Sequence, residues 1–325
     1  MKLRQTSFAL VLMTLSIPVF AGNQIEAHEW LDRMTSAFNK MSFQGTFVYS
    51  QGSSLETMRI THIVDENGTR ERLYSIDGTQ REVIRDKDGI RCVLGNDNAV
   101  MEDRIISGTI FPDIPSTVLA SENGQYTIQT GRIARVAGRL AKHISIKPVD
   151  EFRYGYDLWL DQFSGLLLKW VLLDSNGDPL AKLMFTNLNL GSDIDMDELI
   201  STTPKDKFVQ VKSRMPGQHL LSANQPMWRP SVLPPGFKLA THTVQEKDGT
   251  NIFEHQVYSD GLASVSVYVE DRDKDSEAVQ GVSKLGTANA FSVLLGLKLV
   301  TVIGEVPSIT VQSIASAVVA PAGNQ

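Results

Sequence analysis

Apolar and polar residues alternate along much of this chain, in short runs rather than long ones. Between residues 44 and 94, runs rich in Ile, Val, Leu and Tyr are separated by Asn67-Gly68, Asp77-Gly78 and Asp88-Gly89, ten or eleven residues apart. A period of two with this punctuation predicts antiparallel strands joined by tight hairpins. Asn, Asp and Gly tolerate the positive φ that both central residues of a type I′ turn require, so type I′ turns are expected at these dipeptides. Asn123-Gly124, Asn176-Gly177, Asp248-Gly249 and Asp260-Gly261 continue the habit. The pattern predicts strands at 44–51, 57–65, 69–76, 80–86 and 89–94, then at 126–136, 139–147, 154–161, 166–173 and 179–190.

Helical periodicity is scarce. Trp30, Leu31, Met34, Phe38 and Met41 recur at spacings of three and four, which predicts one amphipathic helix over 27–41 whose apolar face covers the strands that follow. Residues 96–115 form a long irregular connection, and 115–121 a short helix. Residues 191–225 are polar, with acidic residues at Asp193, Asp195, Asp197 and Glu198. This composition predicts an interdomain connection holding one short helix or strand. Strands resume at 237–245, 251–258 and 263–270, with two or three more between 282 and 304. A helix is expected over 307–318, with Pro307 near its start. The whole is mostly β, of α+β type, with a first domain over 22–190, the connection at 191–225, a smaller β-rich domain over 226–318 and a disordered tail over 319–325.

The faces of the first set of strands carry an unusual pattern. In 166–173 every position but Lys169 is apolar. Tyr154, Tyr156, Leu158 and Leu160 share one face of their strand while Trp159 takes the other, and Phe47 and Tyr49 share a face opposite Val48. Apolar residues on both faces imply that both faces are covered. Two readings stay open. The sheet folds on itself and its inner face is ordinary core, or it curves around a cavity for an apolar ligand, with residues 96–115 near the mouth.

The N-terminus adds a location. Lys2 and Arg4 precede an apolar or small run over 8–19, and Val19-Phe20-Ala21 offers small residues at the two positions a signal peptidase reads. The run is about 12 residues against the ~20 needed to span a bilayer, which favours a cleaved secretory signal over 1–21 against a membrane anchor. Removing Lys2 and Arg4 from the 31 basic residues leaves 29 against 37 acidic ones, a net charge of −8. This balance argues against nucleic acid as a partner. The single cysteine, Cys92, excludes an intramolecular disulfide. It alternates with Ile90 and Leu94, as a buried, inert thiol does, with a reactive thiol the other reading.

A search for chemistry finds little. No G-x-S-x-G elbow, phosphate loop or G-x-G-x-x-G occurs; Gly281 to Thr287 has phosphate-loop glycine spacing but Thr287 in place of the lysine. His28-Glu29 lacks the second histidine of a zinc helix, and the six histidines show no metal-ligand spacing. Asp86-x-Asp88-Gly89 lacks the remaining calcium ligands and fits a hairpin turn better. The expectation is a binding or regulatory protein with no catalytic residues, metal or cofactor, although a site assembled only in three dimensions escapes such a search.

Several segments carry a resemblance: Met41-Ser-Phe-Gln-Gly-Thr-Phe-Val-Tyr49, Val136-Ala-Gly-Arg-Leu-Ala141, Arg153-Tyr-Gly-Tyr-Asp-Leu-Trp-Leu-Asp161, Ser164-Gly-Leu-Leu-Leu-Lys169, Trp228-Arg-Pro230, Leu233-Pro-Pro-Gly-Phe237, Tyr258-Ser-Asp-Gly-Leu-Ala263 and Gly304-Glu-Val-Pro307. In this order and spacing the chain resembles the RseB/MucB family of periplasmic regulators of the sigma-E envelope-stress response. The resemblance implies a lipoprotein-carrier-like first domain, an unclosed antiparallel β-barrel with helices in its concavity, and a smaller second domain. It implies residence in the Gram-negative periplasm and a partner, the periplasmic segment of a membrane-spanning RseA/MucA-like anti-sigma factor, shielded from proteolysis. Lipopolysaccharide or the acyl chains of mislocalised lipoproteins are implied as releasing ligands.

On that footing Phe47, Tyr49, Met58, Tyr74, Trp159 and Trp170 are candidates for a lipid-binding surface, each with plain core as its alternative. Ile110 and Phe111 are candidates for a movable lid or for residues that pin a loop. Trp228, Pro234, Pro235 and Phe237 are candidates for partner contact or for setting the angle between domains, with a rigid linker as the plain alternative. A lipid or lipoprotein carrier is the competing function, and a homo-oligomer is compatible with the sequence.

Overall fold

The structure is a computed structural model and describes residues 20–78, 80–93, 111, 114, 124–191, 194–204, 209–211, 226–247, 251–272 and 280–320. The signal segment before Phe20, Ile110, the short helix expected at 115–121, Asp248-Gly249 and the tail beyond Ala320 lie outside these residues.

Helix α1 (Phe20–Lys40) leads into β1 (Phe43–Gln51), β2 (Ser54–Asp65), β3 (Gly68–Ser75), β4 (Glu82–Asp86) and β5 (Gly89–Val93). A second meander follows: β6 (Tyr126–Val136), β7 (Arg139–Pro148), β8 (Gly155–Asp161), β9 (Leu167–Leu173) and β10 (Pro179–Leu190). Strands β1 and β10 pair antiparallel and zip the two meanders together. Residues 191–225 contribute a 3-10 turn at Met196–Leu199 and β11 (Val209–Val211), which pairs with β5. The order β11-β5-β4-β3-β2-β1-β10-β9-β8-β7-β6 leaves β6 and β11 as separate edges, so the sheet curves without closing.

The hairpins are real, but their geometry differs from the expected type I′. Asp65 pairs with Gly68 and Asp86 with Gly89, so the dipeptide glycine opens the next strand rather than sitting inside the turn. Only the glycines take positive φ, at 99° and 117°. The aspartate two residues earlier fixes each turn: Asp65 Oδ1 accepts from Asn67 N–H at 2.8 Å and Asp86 Oδ1 from Asp88 N–H at 2.9 Å. Asp174 accepts from Asn176 N–H in the same way. The repeated device is therefore Asp-x-Asn/Asp-Gly, in which an Asx turn is followed by a left-handed glycine. The type I′ pattern occurs between β6 and β7, where Ala137 and Gly138 have φ of 49° and 75°.

The two faces of the large sheet are covered differently. Helix α1 lies in the concavity and buries Ala27, Leu31, Met34 and Ala37 in the core formed by the inward residues of the sheet, nearest to β6, where Glu26 accepts from Thr130 Oγ1 at 3.2 Å. On the convex face of β2 to β4, residues 194–204 form the cover. Glu82 accepts from Arg72 Nε at 2.6 Å, Ser201 Oγ at 2.8 Å and Thr203 Oγ1 at 2.6 Å, and Arg59 pairs with Glu198 at 3.1 Å. On the convex face of β6 to β9, Val136, Ala141 and Leu168 pack with Trp159. The ammonium of Lys169 lies 4.1 Å from the Trp159 ring centroid, and the His143 ring stacks on Trp159 at 4.8 Å. Side chains lying flat thus finish that cover without a helix.

The second domain is a six-stranded antiparallel sheet. Its strands are β13 (Lys238–Lys247), β14 (Asn251–Ser259), β15 (Ser264–Asp271), β16 (Gly281–Leu285), β17 (Ala288–Leu295) and β18 (Lys298–Gly304). They lie in the order β13-β14-β15-β18-β17-β16. Helix α2 (Ser308–Ser316) covers one face with Val311, Ile314 and Ala315 over Val265, Val267, Val300 and Val302. A short ribbon of β12 (Arg229–Pro230) with β19 (Val318–Val319) ties the start of the domain to its end.

Candidate binding surfaces

The concave face gathers most of the aromatic candidates. Cross-strand pairing sets Phe47 beside Phe185 and Met58, and Tyr49 beside Leu183, which in turn faces Trp170. Phe47, Tyr49, Met58 and Trp170 are 0, 2, 1 and 1 % exposed. Phe111 closes the group, with ring centroids 5.8 Å from Phe38, 5.7 Å from Phe47 and 5.9 Å from Phe185, stacked on the last. Ile114 is fully buried in the same core. In this structure α1 and Phe111 pack against the concave face.

Two candidates lie elsewhere. Trp159 pairs with Lys169 on the convex face, while its neighbour Leu158 faces Trp170 across the concavity. Alternation along a strand forbids both from pointing inward. Tyr74 lies on the convex side as well, 4.4 Å below the Arg72 guanidinium and paired in register with Arg59. The period-two pattern already separates these two from Phe47 and Tyr49.

A polar group interrupts the apolar concavity where α1 ends. His62 Nε2 lies 3.0 Å from the Phe38 carbonyl oxygen and Nδ1 lies 3.2 Å from Glu71 Oε2, while Arg85 donates to Glu71 Oε1. Burial pushes the Glu71 carboxyl up, but His62 and Arg85 outweigh it and hold the group below the usual carboxylate range. The group anchors the C-terminal turn of α1 to β2 and β3, and its members are already satisfied by one another.

The joint between the domains is built from polar groups. Arg153 is 0 % exposed and the side chain of Asp260 is 1 % exposed. The Arg153 guanidinium donates through Nε to Asp260 Oδ2, through Nη1 to Asp150 Oδ2 and through Nη2 to the Pro235 carbonyl oxygen. Tyr126 Oη donates to Asp260 Oδ2 at 2.9 Å, and burial beside this carboxylate pushes the phenol far up. The rings of Phe237 and Tyr126 lie 5.0 and 5.7 Å from the guanidinium carbon. Three more bonds cross the joint. Asn289 Nδ2 donates to Tyr154 Oη at 3.0 Å, Thr310 Oγ1 to the Phe152 carbonyl at 2.8 Å, and Gln51 Nε2 to Thr287 Oγ1 at 3.0 Å.

Of the candidates near the second domain, Pro235 and Phe237 meet at this joint through Arg153. Pro234 is buried and accepts from Phe237 N–H at 3.2 Å, which closes the Pro-Pro-Gly turn. Trp228 packs on the core of the second domain, its carbonyl accepting from Gln256. Arg153, Asp150, Tyr126 and Asp260 were not singled out by sequence reasoning. The signal available was Arg153 at the head of one recognised segment and Asp260 inside another, each satisfied on paper by a strand or a turn.

Among the described residues, no group of three His, Cys, Asp or Glu side chains is placed to hold a metal ion. What the fold defines is a two-domain β-rich protein, an open sheet filled by a helix and joined to a smaller sheet by a buried arginine. The family models for the MucB/RseB N-terminal and C-terminal domains match residues 26–203 and 222–319, and the chain belongs to this family. The sigma factor AlgU regulatory protein MucB of Pseudomonas aeruginosa is 33 % identical over 321 residues, covering 96 % of each chain. A crystal structure of MucB in complex with MucA(peri) is similar with a TM-score of 0.72 at 31 % identity, over 91 % of this chain and all of the other. A crystal structure of MucB alone gives 0.62 at 31 % identity, over 90 % and 98 %.

Proposed function

We propose that this protein is a periplasmic negative regulator of the sigma-E pathway. It binds the periplasmic segment of a membrane-spanning anti-sigma factor and shields that segment from the protease that begins its destruction. Residues 1–21 act as a cleaved export signal that delivers the chain to the periplasm. The observation that carries the reading is similarity through both domains, in order, to MucB, a relative solved in complex with MucA(peri). The protein works by binding rather than catalysis. Lipopolysaccharide or the acyl chains of mislocalised lipoproteins release the segment, which requires that they bind the free protein more tightly than the complex. A simple lipid carrier is the weaker reading, because it has no need of a second domain held by a dedicated ion pair.

Equilibrium binding of the mature protein to the periplasmic segment of its anti-sigma factor tests the reading. A saturable one-site isotherm is expected, with lipopolysaccharide raising the apparent dissociation constant. Absence of binding overturns the regulator. Binding that lipopolysaccharide and lipopeptides leave untouched overturns the sensing half alone.

A further inference from the structure

Arg153 occupies a place that packing alone does not explain. Burying a guanidinium strips it of hydration, and a buried ion pair recovers this only with close geometry and satisfied neighbours. Its contribution is therefore direction more than strength. The guanidinium is a rigid planar fork, and each of its three nitrogens donates at once, to Asp260, Asp150 and the Pro235 carbonyl oxygen. Each carboxylate is fixed by its own domain. Asp150 Oδ1 accepts from Phe152 N–H at 3.0 Å, while Asp260 Oδ1 accepts from Leu262 and Ala263 N–H at 2.9 and 2.7 Å. Two preformed loops thus present acceptors to one fork, and only a narrow range of angles between the domains satisfies all three bonds.

We propose that Arg153 is the positioning residue of the two-domain arrangement: it holds the second domain at the angle in which both domains meet the partner together. This rests on the anti-sigma reading above. The joint is polar and openable, since water can satisfy Arg153, Asp150 and Asp260 once the domains part.

The test places spin labels on the exposed hairpin tips, with Phe163→Cys in the first domain and Leu297→Cys in the second. Distances are measured by pulsed dipolar spectroscopy, with buried Cys92 left in place. The parent chain is expected to give one narrow distance. Arg153→Gln is expected to broaden it and to weaken the anti-sigma segment by at least about tenfold, as happens when a tenth or less of the molecules hold the competent angle. A short thiol-reactive bridge between Gln51→Cys and Thr287→Cys is expected to restore affinity in the Arg153→Gln background, an outcome that a folding defect would not give. Asp260→Asn, which keeps the size of the side chain, repeats the test if Arg153→Gln does not fold. A narrow distance in both variants overturns the proposal, and so does a broad distance with unchanged affinity. A parent chain with a narrow distance that binds no segment overturns the anti-sigma reading and leaves the distance data to judge the joint.

Discussion

The concave face of the first sheet and the joint between the domains are both largely buried, but their chemistry is opposite. The concavity is filled by Phe47, Tyr49, Met58, Phe185 and Trp170 against α1 and Phe111. The joint turns on Arg153, Asp260, Asp150, Tyr126 and Asn289. Apolar burial is roughly proportional to area and indifferent to direction, so it stabilises a compact domain without fixing how that domain faces another. Hydrogen-bonded charges stabilise little and specify angle. A binding regulator has use for both: a domain that stays folded, and a joint whose opening exposes groups that water accepts.

The comparison predicts different consequences for similar-looking substitutions. The largest effect is expected in the concavity. Trp170→Ala removes a buried indole from the centre of the first core and is expected to cost about 3–5 kcal/mol, read as a fall in the urea midpoint. A loss below about 1 kcal/mol would mean that the concavity is loosely filled.

Asp161→Asn comes next, and it sharpens the contrast because Asp161 is a buried carboxylate inside one domain. Its Oδ2 accepts from Arg139 Nε at 2.6 Å and its Oδ1 from Ser164 N–H at 2.7 Å. Loss of the charged pair is expected to lower stability by about 2 kcal/mol. Burial pushes the Asp161 carboxyl up, but Arg139 and Ser164 outweigh it and hold it below the usual carboxylate range. A carboxyl depressed in the fold contributes fully above its unfolded value and loses that contribution as pH falls through its folded value. The parent chain should therefore lose its advantage over Asp161→Asn from about pH 4 downward, where an unfolded aspartate titrates. Urea midpoints of both proteins across this range check the sign, and a gap that widens on acidification would contradict it.

Phe111→Ala is expected to cost about 1–2 kcal/mol, less than Trp170→Ala because Phe111 is only partly buried. The same variant should raise the binding of a fluorescent fatty acid, since the removed ring occupies the concavity. Stability loss with no gain in binding would leave the aromatic face as core and nothing more. The smallest effect is a gain. Ala137 holds a left-handed φ of 49°, so Ala137→Gly relieves strain against a loss of chain entropy and is expected to stabilise by about 0.5 kcal/mol in thermal unfolding.

Much of this architecture was legible in the sequence because strands and turns are written locally. The spacing of Asn67-Gly68, Asp77-Gly78 and Asp88-Gly89 announced the meander, and the predicted strands of both sheets appear with ends shifted by about three residues or fewer. The turn type is not local to the dipeptide: the deciding residue is the aspartate two positions earlier, whose side chain replaces a left-handed backbone at Asn67 or Asp88. Alternation correctly grouped Phe47 with Tyr49 and set Trp159 apart, yet it could not tell what fills the face, because a helix, a loop residue and a ligand leave the same pattern on a strand. The cover of the convex face came from 194–204, a polar stretch with no periodicity to display. The joint was illegible for a related reason. Arg153 and Asp260 are 107 residues apart, and nothing in either local sequence distinguishes a buried ion pair from two solvated charges.

Protection is the most direct measure of the central claim. The mature chain is mixed with the periplasmic segment of its anti-sigma factor, and cleavage of that segment by its protease is followed in time. The account predicts that cleavage slows as the protein is titrated in and stops falling when the segment is saturated. Cleavage at an unchanged rate under saturating protein would contradict it.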